Sequence, residues 1–157
     1  MNIQEIKERD AKVAVIEKIV ADLPEWFGEG TKIAQIEQLT GPIEKAVLYA
    51  AMDEDGQSVG FITLKQSTPY ACEIVEMGVL KRMRGNGLGK KLMQHCEAQC
   101  LERGVRLLTV KTIAESCPME GFKATRAFYE SCGFLPVDIL PTLWGEGFPC
   151  VVYLKSL

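Results

Sequence analysis

Apolar residues recur at intervals of three and four in the first 40 positions, which predicts two amphipathic helices. The first helix ends at Pro24, because a proline cannot donate the next helical hydrogen bond. The second spans 31–39 and stops before Gly41. Residues 25–30 are predicted as a loop that carries two large aromatic side chains, Trp26 and Phe27. The apolar stripes consist of Val13, Ile16, Val20 and Leu23 in the first helix and Ile33, Ile36 and Leu39 in the second.

Segments rich in β-branched and apolar residues predict strands at 1–8, 45–52, 58–67, 71–80, 107–110, 134–138 and 150–154. Two more helices are predicted at 87–103 and 119–132, each followed by a glycine that suits a helix C-terminus. The order βααβββαβαββ favours one domain, 1–157, of the α/β class, with a mixed sheet and helices on both of its faces.

Composition narrows the classes of function. A net charge of −3 and 25% charged residues are ordinary for a globular protein, and they exclude a general nucleic-acid surface. No apolar run approaches the roughly 20 residues of a membrane span, and the N-terminus lacks signal-peptide features. The six cysteines show no CxxC spacing, so no metal site is predicted, and free thiols favour a reducing, cytoplasmic location.

A glycine-rich turn between a strand and a helix carries the candidate chemistry. Arg84, Gly85, Asn86, Gly87, Leu88 and Gly89 follow the predicted strand 71–80 and open the helix 87–103. Glycines let consecutive backbone N–H groups point into one concavity, and a helix N-terminus adds free N–H groups and a positive dipole end. The turn is therefore predicted to bind a pyrophosphate, with Arg84 adding a full charge.

The spacing excludes two common phosphate loops. Arg84 stands where a Walker A loop needs its first glycine, and Lys91 replaces the required hydroxyl residue. A dinucleotide fingerprint needs a glycine at Lys90. The remaining pattern, Arg84-x-x-Gly87-x-Gly89, resembles the acetyl-CoA loop of the GCN5-related N-acetyltransferase (GNAT) superfamily.

A second motif strengthens this resemblance. Residues 124–134 read Ala-Thr-Arg-Ala-Phe-Tyr-Glu-Ser-Cys-Gly-Phe, similar to the superfamily's late helix A-x-x-F-Y-x-x-x-G-F. Many relatives carry an asparagine at the start of that helix, where this chain has Gly121-Phe122-Lys123, so a side-chain amide contact to the cofactor is not expected. The resemblance implies a mostly antiparallel sheet of six to seven strands with two splayed central strands, and acetyl-CoA as co-substrate.

The same resemblance assigns residues to the cofactor. It implies that Met77, Gly78 and Val79 offer backbone groups to the pantetheine arm, while the turn 84–89 takes the pyrophosphate. An isolated glycine in a strand often marks a bulge, so Gly78 is one candidate position for a bulge. A packing role beneath a helix is the alternative for Gly78.

Transfer of an acetyl group to an amine also needs a base and a partner for the leaving thiolate. Glu73 matches the base position of histone-type relatives, which carry Glu-Ile-Val in the same strand. Glu76 is a second candidate, although three residues along a regular strand would place it on the opposite face unless a bulge at Gly78 rotates it. The resemblance gives Tyr129 the role of hydrogen-bonding or protonating the coenzyme A sulfur, with packing against the sheet as the alternative. For Arg126 the alternatives are a phosphate contact and a solvated helix surface.

The acceptor is the least defined part of the prediction. The resemblance places Trp26, Phe27 and Trp144 in the walls of the acceptor site, although core or homodimer contacts are alternatives. Acidic residues near these aromatics would attract a cationic amine; they are Glu25, Glu29 and Glu146. The favoured function is transfer of an acetyl group to an unidentified primary amine by direct attack in a ternary complex. No residue is placed as an acyl-accepting nucleophile, and Cys72 and Cys117 are left open as exceptions. The alternative is a coenzyme A-binding regulatory module without turnover.

Overall fold

The computed structural model describes residues 1–157. Seven strands and five helices follow one another along the chain, with short 3-10 turns at Ile43–Lys45 and Lys81–Met83. The strands are β1 (Asn2–Ile6), β2 (Val47–Met52), β3 (Ser58–Thr68), β4 (Ala71–Val79), β5 (Leu107–Ile113), β6 (Leu135–Leu140) and β7 (Cys150–Ser156). The helices are α1 (Arg9–Val20), α2 (Pro24–Phe27), α3 (Ile33–Thr40), α4 (Leu88–Glu102) and α5 (Glu120–Ser131).

The strands form one sheet in the order β1-β2-β3-β4-β5-β7-β6. Only β4 and β5 pair in parallel, because α4 carries the chain back across the sheet between them, while every other pair is antiparallel. The predicted α/β class and the mixed, mostly antiparallel sheet are confirmed.

The two parallel strands separate halfway along their length. They pair from Ala71↔Leu107 to Ile74↔Val110, and beyond that point β4 pairs only with β3 and β5 only with β7. The predicted splay of the central strands is therefore present, and it opens a cleft between residues 75–79 and 111–113.

Two glycines allow helices to pack closely on the opposite faces of the sheet. A Cβ atom at Gly60 would lie 3.1 Å from Leu92 of α4, and one at Gly78 would lie 3.0 Å from Ile19 of α1. Gly60 is paired with Val79 beside the Phe61↔Gly78 pair, so the two glycines face opposite sides. The core therefore has two layers, one under each helix.

The segment after the first helix differs from the prediction. Helix α1 ends at Val20, and Pro24 begins a second short helix instead of a loop. A proline is well suited to the first turn of a helix, where its missing N–H is not needed. This helical turn fixes the position of Trp26 relative to the cleft. None of the helices is both long and apolar enough to cross a membrane.

Candidate active site

A cleft of about 1190 Å³ lies between the splayed halves of β4 and β5. It runs beside the glycine turn at the N-terminus of α4, along β4, and past α5 and the loop between β6 and β7. Its volume exceeds the usual range for a single small ligand, roughly 300–1,000 Å³, so it has room for a long ligand and a second molecule.

One end of the cleft presents a row of free backbone donors. The N–H groups of residues 85–90 donate to no protein acceptor, and the first helical bond runs from Lys91 N–H to the Gly87 carbonyl. Gly85 and Gly87 both have a φ of +75°, the left-handed conformation that favours glycine. The turn therefore provides a concave set of N–H groups and a helix dipole end, which suits a pyrophosphate.

Arg84 is held at this end by an aromatic ring. Its guanidinium carbon lies 4.4 Å from the centroid of the Trp26 ring, and its Nε donates to the Val79 carbonyl at 3.4 Å. Trp26 in turn donates its indole N–H to the Gly121 carbonyl at 3.2 Å and to Thr125 Oγ1 at 3.1 Å. Trp26 thus links α2 to α5 across the cleft and holds the arginine next to the free donors.

Close packing of neighbouring side chains explains why positions 78 and 89 are glycines. Gly78 pairs regularly with Phe61, and a Cβ there would lie 3.0 Å from Phe61 and 3.2 Å from Leu23. The predicted bulge at Gly78 is therefore wrong, and its packing alternative is confirmed. A Cβ at Gly89 would lie 3.1 Å from the Phe128 ring, so this glycine lets α5 approach α4.

The bulge in β4 lies at Val75 instead. Thr63 of β3 pairs with Glu76 and the next residue, Leu64, pairs with Ile74, so Val75 has no partner. The extra residue returns Glu76 to the side of the sheet that Glu73 faces, and both side chains line the cleft. The expectation that the two glutamates face opposite sides is therefore wrong.

Glu73 is joined to a cation. Lys111 Nζ lies 2.5 Å from Glu73 Oε1, and both side chains are largely buried in the cleft. Lys111 was not predicted as a site residue, because its only signal in the sequence is its position next to the residues of β5 that pair with β4.

Glu76 has no such partner. Burial raises the pKa of its carboxyl to about 7, since a charged carboxylate loses hydration in the cleft. Thr63 Oγ1 accepts the backbone N–H of Glu76 at 3.0 Å, which fixes the bulge and leaves the carboxyl free. A carboxyl of this kind is suited to accept a proton near neutral pH.

Tyr129 is 6% exposed and packs edge-on against Phe128 and Phe134. Burial raises the pKa of its hydroxyl above the ordinary value, and no protein group forms a hydrogen bond with it. The side chain lines the cleft, and no fully buried side-chain oxygen lacks a partner, so the hydroxyl reaches the cleft. Tyr129 therefore offers a protonated donor there.

The walls of the cleft contain all three predicted aromatic residues, Trp26, Phe27 and Trp144. The predicted acidic residues are elsewhere: Glu25 pairs with Lys81 at 2.6 Å outside the cleft, and Glu29 and Glu146 are exposed and do not line it. Sequence reasoning missed further wall residues, whose periodicity carries no signal of a site; they are Leu39, Lys65, Phe128, Leu143 and Phe148.

The remaining candidate residues make contacts within the fold or are buried away from the cleft. Arg126 donates to the Ile113 carbonyl at 2.9 Å, at the splayed end of β5, which favours neither of its predicted alternatives. Cys72 and Cys117 are buried and do not line the cleft. No three His, Cys, Asp or Glu side chains are grouped to hold a metal ion.

The fold is similar to that of several solved structures, all at identities that support the fold alone. A protein from Desulfovibrio desulfuricans assigned to the acetyltransferases of the GNAT family is 18% identical, with a TM-score of 0.80 and 99% of each chain covered. An aminoglycoside 6'-N-acetyltransferase complexed with coenzyme A is 21% identical, with a TM-score of 0.73 over 99% of this chain and 97% of that one. The ribosomal-protein-alanine N-acetyltransferase from Brucella melitensis is 21% identical, with a TM-score of 0.70 and 100% of each chain covered.

Sequence comparison gives the same family. No curated protein sequence matches this chain significantly. The model of the Acetyltransferase (GNAT) family matches residues 13–134, from α1 to the residue before β6, and so includes the glycine turn and both glutamates. The chain therefore belongs to the GNAT family of acetyltransferases.

Proposed function

We propose that this chain transfers an acetyl group from acetyl-CoA to a primary amine by direct attack in a ternary complex. The observation that carries the proposal is one continuous cleft that joins the free N–H groups of residues 85–90 to the carboxyl of Glu76. Acetyl-CoA supplies the activated acetyl group as a thioester, and the chain's own residues bind it, orient it and move protons.

The turn and the splayed strand are assigned to the cofactor. Gly85, Asn86, Gly87, Leu88 and Gly89 offer N–H groups to the pyrophosphate, and Arg84 adds a charge-assisted hydrogen bond. Met77, Gly78 and Val79 lie on the edge of β4 that has no partner on β5, where an extended ligand would add to the strand as a peptide does.

Glu76 is the better candidate for the base. An alkylammonium has a pKa near 10.4 and must lose a proton before its nitrogen attacks a carbonyl. Glu76, with a pKa of about 7, can take that proton, directly or through a water molecule. Glu73 forms an ion pair with Lys111, which fits a role in orienting groups within the cleft. The structure thus favours the second of the two sequence-based candidates.

Tyr129 is assigned to the leaving sulfur. The conjugate acid of a thiolate has a pKa near 8.5, well below that of a buried tyrosine, so full proton transfer from the hydroxyl is uphill. A hydrogen bond from the hydroxyl to the developing thiolate stabilises it without that transfer. The thiolate then takes its proton from solvent or from the base.

The test is a panel of primary amines incubated with acetyl-CoA and the protein, with release of free thiol and mass of the product as readouts. Amine-dependent thiol release, together with a product heavier by one acetyl group, is the expected result. Tight binding of acetyl-CoA with no acetylated product from any amine would support the regulatory-module alternative and overturn the proposal.

A further inference from the structure

We propose that the acceptor taken by this cleft is a small primary monoamine, whose single amino group is joined to an aliphatic or aromatic body. The inference rests on the proposed function and adds the chemical class of its second substrate. Two independent observations support it, the charges in the cleft and the apolar residues in its walls.

In the part of the cleft away from the glycine turn, the positive and negative side chains of the walls are nearly balanced. The charged residues that line this part are Lys65, Glu73, Glu76 and Lys111. Lys111 neutralises Glu73 at 2.5 Å, while Lys65 forms no ion pair. Glu76 is therefore the one carboxyl without a cation, so a single ammonium is the most that this part of the cleft can match.

A second ammonium on the substrate would have no counter-ion. Transfer of an unpaired charge from water into a partly apolar cleft is unfavourable, and Lys65 adds repulsion. Polyamines and polycationic amino sugars are therefore disfavoured, because each additional ammonium needs a carboxylate that the cleft does not provide.

The walls favour an apolar body. Phe27 and Trp144 are partly buried, whereas large apolar side chains at three other wall positions are well exposed. The exposed fractions are 76% for Leu39, 50% for Leu143 and 46% for Phe148. They come from the end of α3 and the loop between β6 and β7, so a ligand in the cleft would cover residues from both segments. Apolar groups gathered at one cleft in this way are typical of a binding site.

The decisive comparison uses two amines of the same length, hexylamine and 1,6-diaminohexane, which differ in a terminal methyl against a terminal ammonium. We expect kcat/KM at saturating acetyl-CoA to be at least about tenfold higher for hexylamine, since the second ammonium must be desolvated without a partner. Phenethylamine should behave like hexylamine. Equal or better use of the diamine would overturn the inference.

A matched pair of variants tests where in the cleft the apolar body of the acceptor lies. Leu143→Glu and Leu143→Gln have side chains of the same size and differ only in charge. Leu143→Glu should raise the ratio of diamine to monoamine kcat/KM by about tenfold over Leu143→Gln, because the new carboxylate pairs with the second ammonium. Identical ratios in the two variants would contradict the placement of the body beside Leu143.

Binding keeps this inference separate from the proposed function. Calorimetric titration of the protein in the presence of coenzyme A measures the affinity of hexylamine and 1,6-diaminohexane without turnover. Tighter binding of hexylamine supports the monoamine site even if no amine is acetylated, a result that would sink only the proposed reaction. Tighter binding of the diamine, or of a peptide whose N-terminal residue is apolar, would overturn the monoamine site even in an active enzyme.

Discussion

Lys111 Nζ lies 2.5 Å from Oε1 of Glu73, where Lys111 is the first residue of β5 beyond its last pair with β4, Ile74↔Val110. The contact gives Glu73 a permanent counter-ion at the base of the cleft. Three residues further on, Glu76 has neither a cation nor a hydrogen-bond donor, and burial raises its pKa to about 7. The two carboxyls lie on one short strand, but their different neighbours give them different chemical character. This pattern is typical of sites that need both an acid–base group and a fixed charge.

The first prediction concerns the base. Glu76→Gln should lower kcat/KM at pH 7 by about 10²–10⁴-fold, and the loss should shrink at high pH as the free amine forms without help. The parent should show an acidic limb with an apparent pKa near 7 that is missing in the variant. Steady-state rates from pH 5.5 to 9.5 measure both features. Glu73→Gln is the matched control, and a larger acidic-limb defect in that variant would return the role of base to Glu73.

The second prediction concerns the pyrophosphate end. Arg84→Ala should weaken acetyl-CoA binding by about tenfold to a hundredfold, because a charge-assisted hydrogen bond contributes about 1.5–3 kcal/mol. Arg82→Ala removes an equal charge two residues away, from a side chain that pairs with Asp53 at 3.6 Å outside the cleft. Calorimetric titration of the three proteins gives the answer. Equal weakening by both variants would show a general charge effect instead of a specific contact.

The glycine turn could be predicted from the sequence, whereas the splay beside it was implied only by the resemblance to the family. The spacing of Arg84, Gly87 and Gly89 excluded other phosphate loops on its own. The helices with regular apolar spacing, α1, α3 and α4, were predicted within a few residues of their bounds.

The details that decide the chemistry depend on contacts between distant residues. The bulge at Val75 is a matter of register between β3 and β4, and no local pattern marks it. The packing role of Gly78 requires knowledge of where Ile19 lies. Lys111 and Glu73 are 38 positions apart, and Trp26 and Thr125 are 99 apart. A sequence pattern reports which face a residue occupies within its own element, but it does not report which residue of another element lies opposite.

The third prediction concerns Tyr129. Tyr129→Phe should lower kcat by about tenfold to a hundredfold, the effect of one lost hydrogen bond to a charged group in the transition state. The KM for acetyl-CoA and the melting temperature should stay close to those of the parent, since the ring and its contact with Phe134 remain. Single-turnover rates at saturating substrates measure the effect. An unchanged kcat would limit Tyr129 to a packing role.

The fourth prediction concerns the link across the cleft. Trp26→Phe keeps an aromatic ring but removes the N–H that donates to Gly121 and Thr125. The free energy of unfolding should fall by about 1–2 kcal/mol, and amide hydrogen exchange should rise at the start of α5. Phe27→Leu, on the same helical turn, is a control that removes a ring without breaking this link. Unchanged exchange in α5 with Trp26→Phe would show that the two hydrogen bonds do not hold that helix.

The last prediction concerns stability and pH. The carboxyl of Glu76 has a pKa of about 7 in the folded protein against an ordinary value of 4.5, so between these values the folded state holds a proton that the unfolded state has released. The stability that the protonated Glu76 carboxyl gives to the folded state is therefore fully present below pH 4.5 and is lost as the pH rises to 7. Glutamine does not titrate, so the free energy of unfolding of Glu76→Gln, relative to the parent, should increase by about 2.5 kcal/mol between pH 5 and pH 8. Urea unfolding at the two pH values measures this difference. A pH-independent difference for Glu76→Gln would mean that its carboxyl is hydrated in the folded protein, and the case for Glu76 as the base would lose its physical cause.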